Sequence, residues 1–186
     1  MNTRKATIND IKSIETLQSI YLYDNLTEEQ RKQGFVTTPF TTEQIETVIK
    51  NHGLFVATIN DNVIAYVFAA SWDFFSQWPI FPYMTTRFQD LNLKGLEITT
   101  QNSFQYGPVC IAMEHRGKNI LSQLFENMRV EMLQTYPLAV TFINKNNERS
   151  YNAHTHKIKW TVVDEFEFNN RHYWGLAYNM SIPIIT

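Results

Sequence analysis

The sequence predicts a mixed α/β (α+β) fold, with helices on both faces of a mostly antiparallel sheet of roughly six to seven strands. Two β-rich runs flank the turn-forming residues 60–62, a pattern typical of a hairpin. Across 104–143 the chain reads as strand, helix and strand, so a central parallel pair with a right-handed crossover is expected. Two final β-rich runs meet at residues 169–170, where two asparagines favour a second hairpin.

In the N-terminal half, a short strand at about 4–8 is followed by helices. Apolar side chains recur there at the helical period: Ile11, Ile14, Leu17 and Tyr21. Capping-box spacings at 27–30 and 41–44 predict two further helix starts. Antiparallel strands are then predicted at about 54–59 and 63–71.

In the C-terminal half, strands and helices alternate. A strand ends near Ile111, and the apolar side chains at about 118–134 lie on one side of a predicted helix. The Tyr136-Pro137 pair ends that helix. The remaining elements are a buried strand at 138–143, a short helix at about 147–156, and strands at about 159–168 and 171–180. No linker or repeat interrupts the chain, so we expect one domain, 1–186.

Composition and charge exclude several classes of protein. The net charge is −2 over 186 residues, which argues against a general nucleic-acid partner. The single cysteine, Cys110, allows no internal disulfide and fits a reducing compartment. The polar N-terminus lacks the apolar core of a signal peptide, and no apolar run is long enough to cross a bilayer. We therefore expect a cytoplasmic protein with no nucleic-acid or membrane partner.

The segment 109–125 joins a strand to a helix through a basic turn. A helix N-terminus carries unpaired N–H groups and a partial positive charge, which together bind phosphate oxygens. Gly117 lets the backbone come close to an anion, and Asn119 tolerates unusual dihedral angles. Arg116 and Lys118 add positive charge. These residues predict either a polyphosphate site or an ordinary strand-to-helix turn with surface cations.

This turn resembles the pyrophosphate-binding motif of the GNAT superfamily, the acyl-CoA-dependent N-acetyltransferases. The motif reads Arg/Gln-x-x-Gly-x-Gly/Ala, after a strand and at the start of a helix. Its six positions are filled here, in order, by Arg116, Gly117, Lys118, Asn119, Ile120 and Leu121. The sequence departs from the motif where Asn119 and Leu121 replace small residues. The resemblance implies a divergent GNAT-type domain that holds the pyrophosphate of CoA with these six residues and Ser122.

The strand before the turn also resembles a family segment. In GNAT proteins the end of this strand pairs with the pantetheine arm of CoA, and the strand splays from its parallel neighbour to admit the cofactor. The resemblance therefore implies main-chain contacts from Cys110 and Ile111, and a splay from the strand at 138–143.

A third resemblance lies after the buried strand. Asn147 stands where the family has an Asn that bonds the pantetheine arm, and Ser150 follows three residues later. Lys159 and Trp160 stand where the family usually has a Gly and an aromatic residue. The resemblance thus implies that Asn147 and Ser150 contact the cofactor.

Acetyl transfer needs a neutral amine, a polarised thioester carbonyl and a proton donor for the departing thiolate. Family members often use a Tyr seven residues after the Asn, and that count reaches His154 here. Counting back from Trp160 reaches Thr155, which indicates one inserted residue. The candidate donors are His154 as an imidazolium and Tyr151 one turn earlier. The alternatives are a surface or capping histidine and a packing tyrosine.

Other residues that could take part in catalysis or metal binding have simpler explanations. Glu97 and Glu114 are read as surface carboxylates, so no general base is assigned. The pair His154 and His156 lacks the companions of a metal site, and we expect no metal. Cys110 lies in an apolar strand, where burial favours packing over nucleophilic chemistry.

The resemblance implies an N-acetyltransferase that moves an acetyl group from acetyl-CoA to a primary amine in a direct ternary complex. The acceptor is a small molecule or a peptide, and the protein is a monomer or homodimer. The alternative is an acyl-CoA-binding regulatory module with weak or no turnover.

The aromatic stretch 72–84 predicts a short helix and loops, and forms either a small core or the acceptor pocket.

Overall fold

The computed structural model describes residues 1–184 of the chain. The strands are Asn2–Lys5 (β1), Leu54–Ile59 (β2), Asn62–Ala70 (β3), Asn92–Leu93 (β4), Leu96–Glu97 (β5), Ser103–Ile111 (β6), Leu138–Asn144 (β7), Thr161–Phe168 (β8) and Arg171–Asn179 (β9). The α-helices are Ile11–Tyr21 (α1), Glu28–Arg31 (α2), Thr42–Lys50 (α3), Trp72–Phe75 (α4), Ile80–Arg87 (α5), Ile120–Met132 (α6) and Glu148–Asn152 (α7).

Seven strands form the main sheet in the order β1-β2-β3-β6-β7-β9-β8. Only β6 and β7 pair in parallel, and α6 makes the crossover between them. All other neighbours in this sheet are antiparallel. The predicted fold class, with its central parallel pair, is confirmed.

Local sequence signals explain where the elements begin and turn. Thr41 Oγ1 accepts the N–H of Gln44, and Gln44 Oε1 accepts the N–H of Thr41, so the predicted capping box starts α3. Asn60 and Asp61 have φ of 48° and 63°, the left-handed turn that joins β2 to β3. The predicted 169–170 turn has the same geometry between β8 and β9.

Two hydrophobic cores cover the two faces of the sheet. One core packs α1, α3, α4 and α5 against the sheet, and buries Ile14, Ile45 and Phe75 completely. The other packs α6 and the segment after α7 against the opposite face, and buries Met128 and Ile158 completely. We call these faces the α1 side and the α6 side.

The aromatic stretch forms two short helices, α4 and α5, and belongs mainly to the α1-side core. Trp72 and Phe81 are buried there, so the core-packing interpretation holds for most of the stretch. The small β4–β5 hairpin after it was not predicted, because its strands are two residues long. No helix within residues 1–184 has the length and hydropathy needed to cross a membrane.

Candidate active site

The site is a cleft between β6 and β7. The two strands pair only from Ser103–Gln105 to Leu138–Val140, and then separate. Gly107 has a φ of 99°, which favours glycine, and Pro108 has no N–H to donate to a neighbouring strand. Each of the two strands forms one wall of a cavity of about 1100 Å³. The splay implied by the resemblance is present at this position.

The main chain of β6 faces the cleft at alternate residues. Ala112 N–H donates to Ile64 O, so two residues earlier Cys110 forms a hydrogen-bonded pair with Tyr66 of β3. The N–H and C=O groups of Val109 and Ile111 therefore point to the cleft. This corrects the expectation for Cys110, whose main-chain groups are used by β3.

The Cys110 thiol is a packing group. Its side chain lies in the α1-side core with 3% exposure. Burial raises the pKa of this thiol to about 12, so it stays protonated near neutral pH. No nucleophilic role follows from its position.

The turn before α6 has the backbone of an anion site. Gly117 has a φ of 79° and Asn119 a φ of 61°, so the asparagine occupies the left-handed position directly before the helix. The first intrahelical bond runs from Gln123 N–H to Asn119 O. In the described part of the chain, the N–H groups of residues 117–122 have no hydrogen-bond partner. These donors lie at one end of the cleft.

The two cations of this turn do not act alike. Arg116 Nε donates to Ile111 O at 2.8 Å, its Nη1 donates to Gln33 O, and its guanidinium lies 4.9 Å from the Tyr21 ring centre. These contacts hold the Arg116 side chain between the end of β6 and the loop of residues 32–38, and Arg116 also lines the cleft, so its contact with an anion stays a prediction. Lys118 is exposed and is not among the residues that line the cleft.

Ile120, Leu121 and Ser122, at the start of α6, line the cleft next to the turn. Ile120 and Ser122 are buried, and Leu121 is half-buried. Leu121 therefore reduces the space where the family motif has a small residue.

Asn147 starts α7 and also holds a loop. Its Oδ1 accepts the N–H of Ser150 at 3.3 Å, the geometry of an N-cap. Its Nδ2 donates to Phe35 O at 3.0 Å, in a loop of residues 32–38 that lines the cleft. Asn147 and Ser150 both line the cleft. A side-chain amide has two N–H donors and two acceptor positions, and the contacts with Phe35 and Ser150 use one of each.

The inserted residue that the sequence indicated is a π-helical turn. Residues Ala153–Lys157 form this turn, and Ile158 N–H donates to Ala153 O, five residues back. Lys159 then has a φ of 58°, the left-handed conformation at the position where the family usually has Gly. The wider turn places His154 inside the protein with 5% exposure.

His154 is held neutral and oriented. Its Nδ1 lies 2.8 Å from Ser150 O and therefore carries the proton, while Nε2 accepts the hydroxyl of Tyr106 at 3.3 Å. Burial lowers the pKa of His154 to about 4, although the Ser150 carbonyl opposes this shift. The expectation of an imidazolium donor is corrected, because His154 lines the cleft as a neutral imidazole.

Tyr151 points away from the cleft. Its ring lies on Trp174 with 4.0 Å between ring centres, and it packs with the α6-side core. It is not among the lining residues. The packing alternative therefore describes Tyr151, and its role as a donor is corrected.

The sequence analysis did not assign Gln105, Tyr106 or Phe142 to the site. Tyr106 and Gln105 lie at the point where β6 and β7 separate, and both line the cleft. Phe142 of β7 contacts Phe81 with 5.5 Å between ring centres, so one residue of the aromatic stretch does reach the cleft. Polar residues in a strand before the motif were the available signal for Gln105 and Tyr106.

The two carboxylates considered at the sequence level, Glu97 and Glu114, are exposed. Within residues 1–184, no group of three or more His, Cys, Asp or Glu side chains is arranged to hold a metal ion.

Comparison with known proteins identifies the fold. No protein-family model and no curated protein sequence gives a significant match. An N-acetyltransferase structure from Staphylococcus aureus Mu50 is 21% identical, with a TM-score of 0.61 and coverage of 96% of this chain and 98% of that one. A ribosomal-protein-alanine N-acetyltransferase structure from Brucella melitensis is 13% identical, with a TM-score of 0.62 and coverage of 96% and 99%.

The structure of yncA from Salmonella typhimurium, with its cofactor acetyl-CoA, is 14% identical, with a TM-score of 0.62 and coverage of 97% and 94%. The chain has the GNAT fold. The resemblance stated from the sequence is confirmed at the level of the fold, over nearly the whole length of each chain. In this GNAT fold the splay, the turn before α6 and the start of α7 surround one cleft.

Proposed function

We propose that the protein is a divergent GNAT-type N-acetyltransferase, which moves an acetyl group from acetyl-CoA to a primary amine of a small molecule or peptide. The observation that carries this proposal is the cleft between β6 and β7, which ends at the unpaired N–H groups of residues 117–122. A polyphosphate that accepts those N–H bonds has the space to extend its arm between the two strands.

The residues around the cleft fit an acyl-CoA. The N–H groups of residues 117–122 bind the pyrophosphate, supported by the dipole of the 13-residue helix α6. Main-chain groups of Val109 and the N–H of Ile111 meet the pantetheine arm from one side. Asn147 and Ser150 meet it from the other. Lys118 lies at the exposed mouth, where it adds charge without direct contact in the cleft.

Acetyl-CoA supplies an activated carbonyl carbon whose C–S bond breaks when the amine nitrogen attacks. The protein binds both partners in one ternary complex and orients them. Tyr106 lies where β6 and β7 separate, lines the cleft, and donates its hydroxyl to His154 Nε2. Burial raises the pKa of Tyr106, so its hydroxyl stays protonated. Its single proton is donated to His154 Nε2, so no side chain is assigned as the proton donor to the departing sulfur.

A second candidate function is a module that binds acyl-CoA and regulates without turnover. The half-buried Leu121 favours it, because this side chain lines the cleft where the motif has a small residue. The two functions share the cofactor site and differ in the fate of the thioester.

Two measurements separate these functions. Isothermal titration with acetyl-CoA tests the cofactor site, and a thiol-release assay over a panel of primary amines tests transfer. We expect saturable binding and amine-dependent release of CoA. Binding without release on any amine supports the regulatory module, and no detectable binding at high micromolar acetyl-CoA contradicts both functions.

A further inference from the structure

Gln105 lies at the vertex of the cleft, the point where β6 and β7 stop pairing. It is the last residue of β6 that pairs with β7, opposite Val140. Its neighbours Phe104 and Tyr106 both pack into the α6-side core. Side chains alternate along a strand, so Gln105 faces the opposite side, where α1 and the 32–38 loop lie. It is among the residues that line the cleft.

The nitrogen of the Gln105 carboxamide is hydrogen-bonded, whereas its oxygen has no partner among the described residues. Nε2 donates to Tyr106 O at 2.7 Å and lies 3.5 Å from Thr141 Oγ1. A carbonyl can only accept, so the contact with Tyr106 O fixes which end of the amide is nitrogen. Gln105 is 2% exposed, and its Oε1 has no hydrogen-bond partner within the described residues. A buried acceptor without a partner is uncommon in a folded protein, and a ligand N–H at the vertex would satisfy it.

The charges around the cleft do not favour an ammonium ion. Among the described residues that line it, Glu148 is the only carboxylate, and it is exposed at the start of α7. Cys110 and His154 are both held neutral by burial. The guanidinium of Arg116 reaches the end of β6 and adds positive charge. An ammonium group that moved to the vertex would lose water without gaining a counter-ion.

Part of the cleft wall is aromatic. Tyr21 of α1, Phe81 of α5 and Phe142 of β7 line the same cleft. Such walls bind an apolar body and leave one polar contact to orient it.

We propose that Gln105 Oε1 accepts an N–H of the attacking amine, and that the cleft selects amines that arrive uncharged on an apolar, aromatic body. This proposal rests on the proposed function and names its substrate class. The nitrogen lone pair forms the new C–N bond, the C–S bond breaks, and one proton passes from nitrogen to sulfur in the net reaction. Gln105 orients the nitrogen and takes no proton, so a weakly basic amine suits a cleft whose one carboxylate among the described lining residues, Glu148, is exposed at the start of α7.

Two isomeric amines provide the test. 4-Methylaniline is neutral at pH 7, whereas benzylamine of the same formula is an ammonium ion. Each is titrated calorimetrically into the protein, with and without saturating CoA, at pH 7. We expect 4-methylaniline to bind at least about tenfold more tightly than benzylamine. Equal binding, or tighter binding of benzylamine, overturns the proposal.

Variants assign the selectivity to Gln105. Gln105→Met keeps an unbranched side chain but removes the acceptor, and we expect a loss of about tenfold in 4-methylaniline affinity. Gln123→Met makes the same change at an exposed position on α6 and should leave the affinity within about twofold. Gln105→Glu should shift the preference towards benzylamine, because a carboxylate attracts an ammonium ion.

Unchanged 4-methylaniline affinity in Gln105→Met overturns the proposal. Circular dichroism shows whether Gln105→Met folds. If it does not fold, Gln105→Glu provides the test, and an unchanged preference for 4-methylaniline over benzylamine in that variant overturns the proposal. The titrations without CoA keep this result independent of the cofactor. A protein that binds 4-methylaniline through Gln105 but does not bind acetyl-CoA contradicts the proposed function and leaves the role of Gln105 standing.

Discussion

Residues with positive φ occupy critical positions around the cleft. Gly107 lies where β6 leaves β7, Gly117 and Asn119 form the turn before α6, and Lys159 follows the π-helical turn. Asparagine adopts the left-handed conformation more readily than other residues with a Cβ, so Asn119 preserves a backbone shape for which the family motif has Gly.

Gly117 provides a direct test of the anion site. A Cβ on Gly117 meets nothing within 4 Å, so the space beside it is open to a ligand. We predict that Gly117→Val weakens acetyl-CoA binding by about tenfold or more, because the branched side chain blocks close phosphate approach. Isothermal titration measures the change.

Gly95 offers a matched control. It has a φ of 89°, and a Cβ there also meets nothing within 4 Å, but it lies in the β4–β5 turn. Gly95→Val therefore carries similar backbone strain away from the cleft. Equal acetyl-CoA affinity in Gly117→Val and Gly95→Val would place the phosphate elsewhere.

The burial of His154 makes stability depend on pH. Its pKa is about 4 in the folded protein and about 6.5 when unfolded, so the unfolded chain binds the proton more readily between these values. The stabilising contribution is complete above about pH 6.5 and is lost as the pH falls towards 4. The expected slope from this group is about 1.4 kcal/mol per pH unit inside that window.

We predict that His154→Gln flattens the pH dependence of the free energy of unfolding between pH 7.5 and 5. Urea denaturation at several pH values measures this. His172→Gln, at an exposed position on β9, should keep the wild-type slope. A wild-type slope in His154→Gln would show that His154 is not buried as a neutral imidazole.

Single residues also show where sequence reasoning stops. The positive φ of Asn119 followed from its position in a turn, but the orientation of Arg116 did not. Its partners, Ile111 O and Gln33 O, are backbone groups brought near by tertiary packing. Gln105 escaped notice for the same reason, because only the separation of two strands makes its carbonyl an unpaired buried acceptor.

At the level of elements, α7 links one wall of the cleft to the 32–38 loop. Asn147 caps α7 and donates to Phe35 O, and Arg149 donates to Gln33 Oε1 at 2.7 Å. Arg116 reaches the same loop from the turn before α6. Side chains from two motif segments therefore hold one loop in place.

Replacement of Asn147 tests this link. We predict that Asn147→Ala lowers the free energy of unfolding by about 1–2 kcal/mol, because it removes an N-cap and a hydrogen bond. It should also speed tryptic cleavage after the exposed Lys32, at the start of the loop. Urea denaturation and limited proteolysis measure the two effects.

The neighbouring Asn146 is exposed, and Asn146→Ala should change stability by less than about 0.5 kcal/mol. Asn147→Ser keeps a good capping group but cannot reach Phe35, so it should restore most of the stability and leave cleavage fast. If Asn147→Ala cleaves at the wild-type rate, Asn147 does not hold the loop.

The order and type of the main elements followed from periodicity, caps and turn residues. Helix α6 begins two residues later than predicted, since the turn extends through Asn119. The π-helical turn was visible only as a one-residue surplus between Asn147 and Trp160. Periodicity cannot say whether such a surplus forms a loop, a bulge or a wider helical turn, because each absorbs one residue.

At the level of the whole molecule, the sheet is continuous except at its centre. Two cores pack its faces, and β6 and β7 part after three paired residues. Gln105, at the end of the paired segment, and residues 119–122, at the start of α6, line the same cleft. In the proposed function, the cofactor and the acceptor would meet at the point where β6 and β7 separate.

The central claim is that the N–H groups of residues 117–122 bind the pyrophosphate of an acyl-CoA. A titration of ¹⁵N-labelled protein with CoA, followed by amide NMR, tests it most directly. We predict saturable shifts in the amides of residues 117–122, together with those of Val109 and Ile111 along the cleft. No shift in these amides at saturating CoA, or shifts confined to another surface, would contradict the account.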